Sequence, residues 1–187
     1  MHTGFVALWL PIVLSAVLVF VASSVLHMAT KWHAADWMPV PDEAAARKAI
    51  GALSIPPGDY MLPRPASMDE MKSPEYAAKM NEGPVLVMTV MPNGPPTMGK
   101  ALGGWFAYCV VVSAISGYVG AHALLPGASY LAVFRIVGTV AFCCYAMGLA
   151  QHSIWYHRNW STTLKSMADG LLYGLLTAGT FGWRWPH

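Results

Sequence analysis

The sequence predicts an all-α integral membrane protein with four transmembrane helices and a small cytoplasmic loop subdomain between helices 1 and 2. Apolar residues form four long runs, each close to the roughly 20 residues that a helix needs to cross a hydrocarbon core of about 30 Å. A charged, proline-rich stretch separates the first run from the other three. Because backbone groups in lipid must be hydrogen-bonded within the protein, we expect these runs to be helices.

The first apolar run, residues 4–26, contains no charged side chain, and its Pro11 falls in the first turns, where a lost hydrogen bond is tolerated. A cleaved secretory signal is the alternative, but MHTGF has no Lys or Arg and the run is longer than a typical signal core. The other expected spans are residues 102–125, 130–156 and 164–183. The chain then divides into a transmembrane helix (1–27), a loop subdomain (28–100) and a three-helix transmembrane unit (101–187).

The loop subdomain is expected to contain short helices and one strand. PDEAAARKAIGAL begins with acids and continues with bases, which favours a helix, and SPEYAAKMNEG has a serine N-cap, an early proline and a final glycine. VLVMTVM is typical of a strand, whose partner is expected near residues 59–62 or in another subunit. The loop has few other large apolar residues, so we expect it to rest on the helix ends or on a neighbouring protein.

Lys and Arg are concentrated in the loop subdomain and in the short loop before the last span. The positive-inside tendency places both loops in the cytoplasm and both termini on the opposite side of the membrane. Tryptophans near the ends of the spans agree with an interfacial aromatic belt.

Histidines provide the clearest cofactor hypothesis. His27 ends the first span and His152 lies about one turn before the end of the third, so two imidazoles at similar depth could ligate the iron of haem b. A single histidine could instead hold the magnesium of a bacteriochlorophyll. The alternative is that these rings lie at the interface and bond to neighbours or water. We therefore expect no cofactor, and keep haem b or bacteriochlorophyll at His27 and His152 as the alternative.

Other chemistry finds little support in the sequence. There is no nucleophile paired with a base, no phosphate loop and no zinc-ligand spacing, so we expect neither catalytic residues nor enzymatic activity. Methionine is an ordinary gap-filler at adaptable contact surfaces, so the loop methionines do not indicate copper and no metal site is expected. A net charge of +2, with acids among the bases, argues against nucleic acid. Asp169 is expected to pair with Lys165, one helical turn earlier.

Three strings, MKSPE, MPNGPP and SIWYHRNWSTTLK, carry a resemblance that extends over nearly the whole chain. On them the chain resembles an uncharacterised family of small four-helix bacterial inner-membrane proteins. The resemblance implies a protein of the bacterial inner membrane, and it brings no catalytic residues. With the orientation expected from the positive-inside tendency, this multi-pass protein has periplasmic termini and a cytoplasmic loop. A chain with this architecture is expected to be recruited as an extra subunit of a photosynthetic or respiratory complex.

The expected function is a non-catalytic accessory or scaffold subunit of a multisubunit, energy-transducing membrane complex, with other membrane subunits and lipid as partners. Small residues four positions apart, such as Gly170 and Gly174, favour close helix packing. Candidate partner contacts combine rigid turns with large amphipathic rings: Pro92, Asn93, Pro95, Pro96, Trp155, Tyr156 and Trp160. A small transporter is a weaker alternative, because the spans offer hardly any polar route.

Overall fold

The computed structural model describes residues 4–186 and is mostly helical. Residues 1–3, at the start of the expected first helix, and residue 187 lie outside the described residues. In chain order the elements are α1 (Trp9–Ala29), α2 (Glu43–Ala52), β1 (Gly58–Leu62), α3 (Met68–Met71), α4 (Pro74–Glu82), β2 (Leu86–Val90), α5 (Met98–Ala123), α6 (Tyr130–Ala146), α7 (Ala150–Tyr156) and α8 (Trp160–Trp183). Short 3-10 turns at Phe5–Leu8 and Met147–Leu149 precede α1 and α7.

The chain forms two compact units, residues 4–37 with 97–186 and residues 38–96. We call them the helical unit and the loop unit. The loop unit begins later and ends earlier than the 28–100 boundaries expected from the sequence, because the residues after α1 pack within the helical unit.

Three helical segments are long and apolar enough to cross a membrane: Phe5–Ala29, Met98–Ala123 and Tyr130–Tyr156. They correspond to the first three spans expected from the sequence. The fourth expected span falls in α8, which is long enough but less apolar, because it carries Lys165, Asp169 and several hydroxyl side chains. Many of these polar side chains are buried in the unit, including Thr163 and Thr177.

The four long helices of the helical unit form a ring in which α1 and α6 each contact both α5 and α8. Two hydrogen bonds define the antiparallel α1–α5 pair: the hydroxyl oxygens of Ser15 and Ser113 lie 3.0 Å apart, and Trp105 Nε1 donates to Ser23 Oγ at 2.7 Å. The apolar core lies in two clusters along the bundle, one around Phe181 and the other around Val112.

Small residues let α6 and α8 approach closely, as their spacing predicted. A Cβ added to Gly174 would lie 3.1 Å from the backbone nitrogen of Phe142, and one added to Gly170 would lie 2.9 Å from Ala146 Cβ. A Cβ on Gly138 would meet Ala178 Cβ at 2.8 Å. Side chains larger than hydrogen at these positions would therefore push the two helices apart.

The loop unit contains an antiparallel two-stranded sheet in which Gly58 pairs with Val90 and Leu62 with Leu86. The predicted strand thus pairs with the segment expected to be its partner. Both predicted short helices form, with Asp42 and Ser73 as N-caps, and the structure adds the single turn α3. Tyr76 is the one hydrophobic side chain that is buried among the described residues 38–96.

Candidate functional site

A cavity of about 530 Å³ lies within the helical unit, between the end of α1, the start of α5, and parts of α6 and α8. Apolar and aromatic side chains form most of its wall, including Trp105, Leu102 and Tyr173. His27 and Asp169 contribute the ionisable groups of the wall. An apolar cavity with a few convergent polar groups is typical of a small-molecule site.

An aromatic cluster forms one side of this cavity. The Trp105 ring contacts Tyr108, Tyr145 and Tyr173, with ring centroids 5.5–6.3 Å apart. Its indole nitrogen is held by Ser23, as described above. The hydroxyl of Tyr173 is buried without a hydrogen-bond partner within residues 4–186. A polar atom of this kind at a cavity wall can accept or donate a bond to a bound molecule.

Beside the cavity, a chain of hydrogen bonds links the segment after α1 to α8. His33 lies between two carboxylates: its Nδ1 is 2.6 Å from Asp36 Oδ2 and its Nε2 is 2.7 Å from Asp169 Oδ2. Trp32 Nε1 donates to the other oxygen of Asp169 at 3.1 Å. Lys165 Nζ donates to Asp36 Oδ1 at 3.0 Å.

The expected Lys165–Asp169 pair is therefore wrong. Lys165 bonds to Asp36, whereas Asp169 accepts hydrogen bonds from the Trp32 indole and the His33 imidazole. The residues after α1 pack within the helical unit and supply the partners of both side chains. A buried carboxylate needs such donors, because burial without them is costly.

The charges of this cluster shift the pKa values of His33 and Asp36, the two titratable members that follow α1. Burial by itself lowers the pKa of His33, but the hydrogen bonds to Asp36 and Asp169 and their negative charges outweigh it and raise that pKa above its ordinary value. Burial raises the pKa of Asp36, yet its bonds to His33 and Lys165 and their charges lower it below the usual range. Asp36 is therefore held as a carboxylate.

His27 completes the group. Its ring stacks on that of His33, with centroids 4.5 Å apart and planes inclined by 13°. Its Nδ1 donates to the carbonyl oxygen of Ser23 at 3.0 Å. One ligand atom from each of His27, His33 and Asp169 lies within 4.8 Å of the other two. The folded chain thus collects two imidazoles and one carboxylate from three separate segments.

The two histidines selected from the sequence have different surroundings. His27 lines the cavity, but His152, on α7, does not, and its ring lies 6.1 Å from that of Tyr156. Within residues 4–186 the rings of His27 and His152 make no contact. His33 and Asp36 were not predicted as site residues. The spacing His33-Ala-Ala-Asp36, next to a span whose partner helix carries a buried acid, is the signal that could have indicated them.

The expected partner contacts are all exposed, as a contact surface requires. Pro92, Asn93, Pro95 and Pro96 follow β2 in the loop unit, and Trp155, Tyr156 and Trp160 flank the short connection between α7 and α8.

Comparisons with known proteins add no relative: no family model, no curated protein and no solved structure matches the chain. The class that fold and site define is a helical protein with three segments able to cross a membrane and an ionisable cluster beside an apolar cavity.

Proposed function

We propose that this chain is a non-catalytic accessory subunit of a bacterial inner-membrane complex, and that its loop unit contacts another membrane-protein subunit. The observation that carries the proposal is the ratio of core to exposed apolar surface in residues 38–96. Only Tyr76 is buried among its hydrophobic side chains, whereas Met68 is 64% exposed and Met91 75% exposed. A unit with so small a core gains stability when its apolar side chains are covered by a partner.

The sheet of the loop unit supports the same proposal. A two-stranded sheet alone is marginally stable in water, and both outer edges of β1 and β2 are unpaired among residues 4–186. Methionine side chains adapt their shape to a surface, which suits a contact with another subunit. An energy-transducing complex, photosynthetic or respiratory, is the partner assembly that we propose.

The membrane arrangement that we propose has four spans, with α8 as the fourth. Helix α8 packs between α1 and α6, so its polar side chains are covered by protein while leucines such as Leu171 and Leu175 are exposed. Basic residues flank the connections at one end of the bundle, which favours a cytoplasmic loop unit and periplasmic termini.

The experiment is site-specific photo-crosslinking in native membranes. A photoreactive residue replaces Asn93, in the expected contact surface, and a matched control replaces Asn81, which is also exposed but lies on α4. We expect a stoichiometric adduct to one membrane subunit from position 93 and none from position 81. Purification of the gently extracted protein as a solitary monomer, without adducts at either position, would contradict the proposal.

A second candidate function is a haem or bacteriochlorophyll protein, favoured by His27 in the wall of the cavity. It requires an absorption band in the visible region from the isolated subunit. Replacement of His27 by Ala would then abolish the band, and His152→Ala would do so only if both histidines ligate the iron. A colourless subunit that co-purifies with partners supports the accessory function instead.

A further inference from the structure

The cluster of His27, His33 and Asp169 has the arrangement of a metal site with its supporting contacts, independently of any partner subunit. In metal sites the ligating histidine usually donates its other N–H to a carboxylate or backbone carbonyl, which fixes the ring and its tautomer. Here His33 Nδ1 faces Asp36 and His27 Nδ1 donates to the Ser23 carbonyl. When a metal ion binds, the proton that His33 Nε2 donates to Asp169 leaves to solvent, and both Nε2 atoms then offer the lone pair that the ion needs.

The carboxylate is supported in the same way. Trp32 Nε1 bonds to Oδ1 of Asp169, so the orientation of the group is fixed and Oδ2 is directed at His33. Asp36 is itself held by Lys165. Each of the three potential ligands therefore has a partner on the atom that would not bind the metal.

The charge of the cluster also favours a cation. With His33 neutral, Asp36 and Asp169 carry two negative charges against the single positive charge of Lys165 within this hydrogen-bonded chain. Both carboxylates are buried, and in such surroundings an unbalanced charge is costly. Either a proton on His33 or a bound cation balances it.

We propose that His27, His33 and Asp169 bind one divalent transition-metal ion, with Zn²⁺ as the ion that fits best, and that the remaining coordination position faces the cavity. Two imidazoles and one carboxylate suit Zn²⁺, whereas Mg²⁺ and Ca²⁺ prefer sets of oxygen ligands. Three protein ligands leave the fourth position of a tetrahedral ion open. His27 and Asp169 both line the cavity, so a water molecule or a donor atom of a cavity ligand can occupy that position.

Binding requires the His27 ring to leave its stack on His33, because a ligating lone pair lies in the ring plane and two parallel rings cannot both direct one at the same ion. Zn–N distances of about 2.0–2.1 Å place tetrahedral ligand atoms roughly 3.3 Å apart. The 2.7 Å hydrogen bond between His33 and Asp169 must open slightly, and the 4.8 Å spread of the three ligand atoms must contract. The His27 ring is exposed, so it has the freedom to unstack and to bring its nitrogen toward the other two ligand atoms.

The test is a zinc titration of the purified, metal-stripped full chain in detergent, against a chromogenic chelator. We expect one Zn²⁺ per chain, with no competition from millimolar Mg²⁺. His27→Ala and Asp169→Asn should abolish stoichiometric binding, and Asp36→Asn, which removes the charge behind His33, should weaken it about 10- to 100-fold. His152→Ala is the matched control, because this histidine lies outside the cluster, and it should bind like the unsubstituted chain.

Cobalt provides a second readout that does not depend on folding of the variants. Co²⁺ added to the unsubstituted chain should produce visible d–d absorption bands that Zn²⁺ abolishes. If the unsubstituted chain binds neither ion stoichiometrically, the cluster is a hydrogen-bonded ion-pair network only and the proposal is overturned. Stoichiometric binding that survives in folded His27→Ala and Asp169→Asn chains would also overturn it, because the ion would then lie elsewhere.

Discussion

The close approach of α6 and α8 at Gly138 makes a prediction with a built-in control. A Cβ on Gly138 would lie 2.8 Å from Ala178 Cβ, whereas carbon atoms in contact normally lie about 3.5–4.0 Å apart. Gly138→Ala therefore forces the two helices apart locally by roughly 0.7 Å or strains their side chains. Ala178 is fully buried, so its methyl group has no free space into which to move.

The magnitudes follow from two opposing terms. Overpacking costs about 1–3 kcal/mol, and the better helix propensity of Ala returns about 1 kcal/mol, so Gly138→Ala should destabilise the unit by about 0–2 kcal/mol. Ala178→Gly alone should cost about 1 kcal/mol or more through lost propensity and packing. In the double variant, Gly138→Ala with Ala178→Gly, the methyl group merely changes sides and both propensity terms cancel, so we expect stability within about 0.5 kcal/mol of the unsubstituted chain.

The assay is reversible unfolding in mixed micelles, followed by the loss of helical circular dichroism as the SDS fraction rises. The double-variant cycle should give a favourable coupling energy of about 1–3 kcal/mol. Additive effects of the two substitutions would refute the packing argument, because they would mean that residues 138 and 178 do not compete for the same space.

Three further predictions concern single positions. Ser113→Ala should cost only about 0.6 kcal/mol in the same unfolding assay, because Ser15 Oγ keeps its bond to the Pro11 carbonyl at 2.7 Å; a loss above about 2 kcal/mol would contradict this. Gly103→Ala should stabilise the unit by about 0.5–1 kcal/mol, since no atom lies within 4 Å of the added Cβ, and a destabilised variant would show a contact there. Tyr76→Ala should make residues 38–96 sensitive to limited proteolysis by removing about 3–5 kcal/mol of packing, while Tyr76→Phe remains resistant; equal resistance of both variants would refute its role as the core.

Local rules were enough to predict much of the secondary structure. The apolar runs predicted three helical spans that the structure contains. The acids and bases of PDEAAARKAIGAL and the N-cap Ser73 marked the two short helices correctly, because each signal involves residues within a few positions of one another. The pairing of the strands Gly58–Leu62 and Leu86–Val90 could also be predicted, since the loop offered one segment suited to pair with the predicted strand.

The ionisable cluster could not be predicted from local sequence patterns. His33 and Asp169 are 136 positions apart, and only the tertiary fold brings them to 2.7 Å. The helical spacing of Lys165 and Asp169 suggested a pair that is geometrically reasonable but loses to the partners supplied by the segment after α1. An acid in an apolar helix indicates that a partner is needed. Which residue is the partner depends on how residues 30–37 pack within the helical unit.

The composition of α8 has a consequence for biogenesis. A segment with Lys165, Asp169 and buried threonines enters lipid less readily by itself than the three more apolar segments do. Lys165 and Asp169 are satisfied only when the residues after α1 are already in place, because those residues supply the partners of both side chains. Helix α6 supplies the packing surface for Gly170. In the four-span arrangement proposed above, we therefore expect α8 to be the last helix to become stably inserted during synthesis. Completion of the chain, rather than insertion of its first three helices, would then commit the bundle to its native topology.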